Sequence, residues 1–259
     1  MDLLKYFVED NSGELVQLDL NEELRNEFLD SLPEDFCINY IRKSELEQKA
    51  LANEMSERDY FEQFIIPEIP SYANVRSGDF GEMLCFKLVK NKADKKGILL
   101  VGPRKWRWKA DKNKPCHGSD VVLFHKHGVK PSEEDIIESV ESKMKATPGN
   151  SAPIQNAIDG AIDDKVKRLA KTLNWIHDKL ASEGKPRLRE SINRYRFLDE
   201  NPTFKKKFHA IAIIDDDIAQ EEIEKEIDDY NDIEITVIRV KDLKNAYEST
   251  YNNMLNYLE

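Results

Sequence analysis

Three cysteines in 259 residues, Cys37, Cys85 and Cys116, are too few for a disulfide framework, and their number is odd. They fit a reducing cytosol. Long apolar runs are missing too. The longest unbroken one, Ala210 to Ile214, has five residues, against the roughly 20 that a membrane-crossing helix needs. The chain opens Met1-Asp2-Leu3-Leu4-Lys5, without the basic segment and apolar stretch of a signal peptide. No Gly-x₄-Gly-Lys sequence is present, so a P-loop motor is not expected. Glycine and proline number ten each, which leaves no room for collagen-like or low-complexity classes. Positive charge is in deficit: 39 Lys and Arg face 50 Asp and Glu, a net of −11. Hydrophobic residues reach 40 %, enough to fill a core. A cytoplasmic protein with no membrane segment is expected.

The charge is unevenly placed. Residues 1–70 carry a net of −12, whereas Lys87 to Lys130 holds 13 Lys and Arg against Asp94, Asp111 and Asp120. Its densest part, Arg104-Lys105-Trp106-Arg107-Trp108-Lys109, interleaves cations that can neutralise phosphates with indoles that can stack on bases. The plainer reading is a solvated basic loop with two tryptophans in a core. In so acidic a chain, nucleic-acid binding has to be local.

Pro67 and Pro70 close the acidic region. They suggest an N-terminal region over 1–70, regulatory or partner-docking, and a larger domain over 71–259. In the first, Leu15 to Leu20 alternates like a strand, Asn21 caps a helix start, and Glu45 to Phe64 reads as helix. In the second, Asp79 is expected to cap a helix that runs through Met83 to Val89. Strands follow at Gly97–Pro103, Val121–Phe124 and Asp135–Lys143. A long amphipathic helix at Ala152–Ser182, with a break near Gly160, leads to a strand at Phe208–Ile214 that reads as buried on both faces. A helix at Ile218–Tyr230, a strand at Ile233–Val240 and a helix at Leu243–Leu258 complete the series. This order predicts an α/β fold (an α+β mixed sheet with helices on both sides).

The chemistry centres on Glu82, Asp120, Glu141 and Lys143. Side chains alternate across a strand, so Glu141 and Lys143 share a face. Asp120 follows Gly118, where the chain can bend, and enters the preceding strand. If the two strands form a hairpin, Asp120 and Glu141 converge. Two carboxylates, with carbonyls and waters, make a hard oxygen site suited to Mg²⁺. A lysine beside them can orient a water or stabilise charge on a phosphate. Those are the parts for metal-assisted phosphodiester hydrolysis. Taken singly, Glu-x-Lys is a common surface ion pair, and an Asp after Gly more often caps a turn. Their order along the chain is what separates them from those uses.

The series Glu82, Gly118-Ser119-Asp120, Glu141-Ser142-Lys143, Gln155 resembles the PD-(D/E)XK nuclease superfamily, with its restriction-endonuclease-like αβββαβ core. The wider wording is Ser77-Gly78-Asp79-Phe80-Gly81-Glu82, Pro103-Arg104-Lys105-Trp106, His117 to Phe124 and Glu141 to Met144. It resembles the HamA family, effectors of the Hachiman antiphage defence system, from about Ser71 onward. The resemblance implies a DNA nuclease that uses Mg²⁺ or Mn²⁺. Asp120 and Glu141 would hold the metal, Glu82 would support it or a water beside it, and Lys143 would position the attacking water. Gln155 would contact phosphate or stiffen the site. Ser119 stands where the superfamily's name has proline. The family further implies a helicase-like partner, HamB, which holds the effector inactive until aberrant DNA is sensed. The alternative is a non-catalytic adaptor that docks a helicase or nucleic acid. A third idea has the acidic residues 1–70 folding over the basic stretch.

Several other residues carry plainer expectations. Cys116, His117, His125 and His127 match no zinc spacing. Asp215-Asp216-Asp217 reads as a helix cap, and the basic residues from Arg187 to Arg196 with Lys205 to Lys207 as a linker or a phosphate-backbone contact.

Overall fold

The computed structural model describes residues 2–13, 15–196, 204–225, 227, 230 and 232–256. Its centre is a mixed six-stranded sheet, ordered β1-β2-β6-β5-β4-β3. The strands are β1 (Phe7–Asp10), β2 (Val16–Leu20), β3 (Val121–His125), β4 (Ile136–Lys145), β5 (Lys205–Asp215) and β6 (Glu234–Val240). β4, β5 and β6 run parallel. β3 closes one edge antiparallel to β4, and β1 closes the other antiparallel to β2.

β5 lies between two parallel neighbours, and Phe208 to Asp215 are buried in succession. This is why it reads as one apolar run rather than as an alternation. Its odd and even residues serve different layers. Ile211 and Ile213 pack with α1 (Arg25–Tyr40), α4 (Ala73–Asp94) and α9 (Leu243–Asn252). Ala210, Ala212 and Ile214 pack with α5 (Pro153–Asp163), α6 (Leu169–Ser182) and α7 (Pro186–Arg196). The mixed sheet with helices on both faces is thus as expected.

Residues 1–70 join this architecture directly. β2 pairs parallel with β6, Leu18 opposite Ile238, and Phe28, Leu32 and Phe36 of α1 share one core with Phe80 of α4. The expected helix over Glu45–Phe64 is two pieces, α2 (Lys43–Ala52) and α3 (Glu57–Tyr60), followed by a π-helical turn at Phe61–Ile65. Glu54 stands between them in the left-handed region at φ +55°, and the Ser56 hydroxyl accepts the Asp59 N–H to start α3.

Three further local expectations change. The strand at Gly97–Pro103 shrinks to one antiparallel bridge, Val101 with Phe124. Gly102 follows so closely on Val122 that a Cβ would stand 2.5 Å from its carbonyl oxygen, and Pro103 has no N–H to extend the pairing. Asp79 is no cap: α4 starts at Ala73, and Asp79 lies buried inside it. The long helix does not break at Gly160 but swells into a π-helical turn at Asp164–Arg168, between α5 and α6. The helix from Ile218 is α8 (Asp216–Ile223), and the closing helix is described to Asn252. Residues 226, 228, 229 and 257–259 lie outside the described residues.

Candidate active site

The β3–β4 hairpin builds the centre. Its register sets Val121 opposite Val140, so Asp120, one residue before β3, faces Glu141. The Ser142 backbone N–H donates to Asp120 Oδ2 at 3.0 Å and fixes that carboxylate to the neighbouring strand. Lys143, two residues along β4, reaches back over both acids. Its Nζ donates to Glu141 Oε1 and lies 3.6 Å from Asp120 Oδ2. The three side chains singled out on adjacent strands therefore meet.

The turn that aims Asp120 is anchored beneath it. Gly118 has φ +87°, and a Cβ there would meet Thr172 Oγ1 at 2.5 Å, so only glycine fits. Ser119 is fully buried. Its N–H donates to Thr172 Oγ1 at 2.9 Å and its hydroxyl to Asp164 Oδ1 at 2.9 Å. Asp164 also accepts from Ser139 on β4 at 2.6 Å. A proline at 119 would have no N–H for Thr172, so serine there ties the turn to α6 in a way that proline cannot.

Glu141 is buried between two cations. Lys143 holds Oε1, and Arg168 donates to Oε2 at 2.5 Å while also bonding Asp164 and the Gly160 carbonyl. Burial, and then the Asp120 charge, push the Glu141 carboxyl up to about 7. Burial works against the Lys143 ammonium, but Asp120 and Glu141 beside it hold its pKa above the usual value. Two converging carboxylates, Glu141 buried and Asp120 partly open to solvent, are the hard oxygen donors that Mg²⁺ or Mn²⁺ prefers. On this donor chemistry, Asp120 and Glu141 fit such an ion. Among the described residues no three His, Cys, Asp or Glu side chains form a group able to hold a metal.

A sequence model of the HamA family matches residues 3–254. The chain belongs to the HamA family. It is thus a Hachiman defence protein, and the match extends across the acidic N-terminal region, which the motif resemblance had not reached. No curated protein matches the chain.

In this HamA-family chain Glu82 takes a neighbouring place. It comes from α4, in the helix layer across the sheet from Gly160. Its Oε2 accepts from Trp106 Nε1 at 3.1 Å and lies 3.3 Å from Lys105 Nζ. Lys105, itself buried, donates to the Ser119 carbonyl at 2.8 Å and so links Glu82 to the turn before Asp120. Burial drives the Glu82 carboxyl up to about 8, against the pull of Lys105. One turn earlier on α4, Asp79 grips Lys109 at 2.7 Å. Much of the basic stretch is therefore internal: Lys105 and Lys109 answer acids of α4, and Lys87 pairs with Asp35 at 2.8 Å.

Gln155 donates to Asp159, one turn on, at 2.8 Å. His117 is exposed, its ring 6.1 Å from that of Trp175. Asp215 does cap α8, by accepting the Asp217 N–H. In the second basic region Arg194 is buried against Asp135 at 2.9 Å. Sequence reasoning passed over Arg168, although Asp164 and Arg168 stand at the i, i+4 spacing of a helical ion pair. It also missed that Gly160 leaves room for Glu141. Among the described residues no helix is long and apolar enough to cross a membrane.

Proposed function

We propose that this protein is the nuclease effector of its defence system: a metal-dependent DNA phosphodiesterase that a helicase partner, HamB, holds in check and that aberrant DNA releases. The observation that carries this reading is the meeting of Asp120, Glu141 and Lys143 at the start of β3 and the middle of β4. The order α4, bridge at Val101, β3, β4, α5 and α6, β5 supports a restriction-endonuclease-like arrangement for it.

Asp120 and Glu141 would hold Mg²⁺ or Mn²⁺, which supplies Lewis acidity and offsets charge on the phosphate under attack. The rest falls to the chain. Lys143 orients the water and keeps its ammonium beside the developing negative charge. Arg168 locks the Glu141 carboxyl in one rotamer, and the Ser142 N–H does the same for Asp120. Lys105 and Glu82 steady the turn that carries Asp120. Asp120 and Glu141 would offer their charge to such an ion, and Lys143, which pairs with both acids, would then have its ammonium for the water.

Purified protein, with plasmid DNA and Mg²⁺ or Mn²⁺, tests the reading, alone and with the helicase partner and ATP. Cleavage confined to the metal-containing reactions supports it, and cleavage that needs partner and ATP supports the gating as well. DNA left intact in every combination, with binding retained, points to the adaptor.

A further inference from the structure

The turn Lys105–Trp108 has two sides. Lys105 and Trp106 face inward to Glu82, whereas Arg107 and Trp108 face a separate cleft of about 370 Å³ between that turn, α6 and α7. Cavities of roughly 300–1,000 Å³ are the usual size for small-molecule sites. Its walls are apolar and aromatic: Trp108 and Tyr195 with Phe124, Ile176, Leu180 and Leu188. Asp120, Glu141 and Lys143 are not among its lining residues.

The charge around this apolar cleft is one-sided. Arg42, Arg104, Arg107, Lys126 and Lys185 line it, with Glu183 as the one acid. Glu183 is already engaged by Lys185 and by Trp108 Nε1. The guanidiniums rest on neutral acceptors at the C-terminal end of α1: Arg104 on Asn39 Oδ1, and Arg107 on the Ile38 and Asn39 carbonyls. That helix end carries partial negative charge, which holds the arginines in place without neutralising them. Among the described residues neither Arg104 nor Arg107 has a carboxylate within ion-pair distance. Burial lowers both to about 10, helped by the Arg107 charge at Arg104 and the Arg42 charge at Arg107, and opposed by Asp35 at the first and by Glu45 and Glu183 at the second. Both arginines are partly exposed, so an anion in the cleft can reach them, and charge-assisted hydrogen bonds favour it there.

We infer that this cleft is a binding site for a free mononucleotide, its base between the Trp108 and Tyr195 walls and its phosphate on Arg104 and Arg107. An aromatic body and a compact anion on one small molecule match the two halves of the cleft. Guanidiniums suit phosphate because their N–H groups fork onto its oxygens. The cleft holds one nucleotide rather than a strand, and its ligand is separate from the DNA proposed for Asp120 and Glu141.

The test is calorimetric titration of the full chain, without DNA or divalent metal, by AMP and the other nucleoside monophosphates. Adenosine and inorganic phosphate serve as the two halves, and a short oligonucleotide and an acidic peptide as competitors. The expected result is saturable one-to-one binding of at least one mononucleotide with Kd below about 1 mM, and at least ~10-fold weaker binding of either half. Leu188→Trp fills the cleft from an exposed position on α7 and should weaken binding ~10-fold or more with an unchanged melting temperature. Arg107→Gln should do the same through the phosphate. No saturation by any nucleoside monophosphate overturns the inference. So does binding that Leu188→Trp leaves intact, or binding of the oligonucleotide or the peptide alone.

Discussion

The Glu141 carboxyl occupies the space that a side chain on Gly160 would fill. A Cβ there would stand within 2.5 Å of both Cγ and Oε1 of Glu141. The glycine carbonyl meanwhile receives Arg168, which holds the other carboxylate oxygen. In an ordinary helix, Gly→Ala stabilises by up to about 1 kcal/mol. Gly160→Ala should reverse that sign and cost about 2 kcal/mol by displacing a packed buried group. Thermal unfolding checks the sign, and a gain in melting temperature would mean that Glu141 has room elsewhere.

Ser119 ties the turn before Asp120 to α6 through Thr172 and Asp164. Ser119→Ala removes one donor from a buried carboxylate and should cost about 2 kcal/mol. Chemical denaturation measures it. The backbone bond to Thr172 survives in this variant, so the loss should stay well short of unfolding.

Lys145 is buried on the α8 side of β4, where it donates to Glu222 at 2.7 Å and to the Gly149 and Ser151 carbonyls. Burial opposes the Glu222 charge, but Lys145 and Lys225 prevail and hold its pKa below the usual range. A depressed carboxylate pKa gives stability that is complete above the unfolded value, about 4.5, and is lost as pH falls through the folded one. Glu222→Gln should therefore cost about 3 kcal/mol at pH 7, by stranding a buried ammonium. The gap between variant and wild type should narrow as pH falls below 4.5 and through the lowered folded pKa. A constant gap down to pH 3 would show that charge plays no part.

The centre was legible because it rests on local rules. Strand alternation set Glu141 and Lys143 on one face, and the glycine turn at 118 let Asp120 meet them across one hairpin. Arg168 and Gly160 were not legible as site residues, since their roles depend on how a helix lies against β4. Nothing local joins β2 to β6, whose paired residues lie some 220 positions apart, so residues 1–70 read as a separate region. In the structure they supply two strands and part of a shared core. Removing them would expose that core, so a truncation would report on folding first.

Cys37, Cys85 and Cys116 are all free, and burial pushes each thiol up to about 12. A thiol-reactive dye at pH 8 should label the native chain at least ~100-fold more slowly than the urea-unfolded one. Fast labelling of one cysteine would locate an opening of the fold.

The most direct measurement compares DNA cleavage by wild type, Glu141→Gln and Lys143→Met, each with Mg²⁺ or Mn²⁺ and the helicase partner, after matched melting curves confirm that all three fold. If Asp120, Glu141 and Lys143 are the catalytic centre, both variants lose cleavage by at least ~1,000-fold while still binding DNA. Wild-type rates in either variant would contradict it.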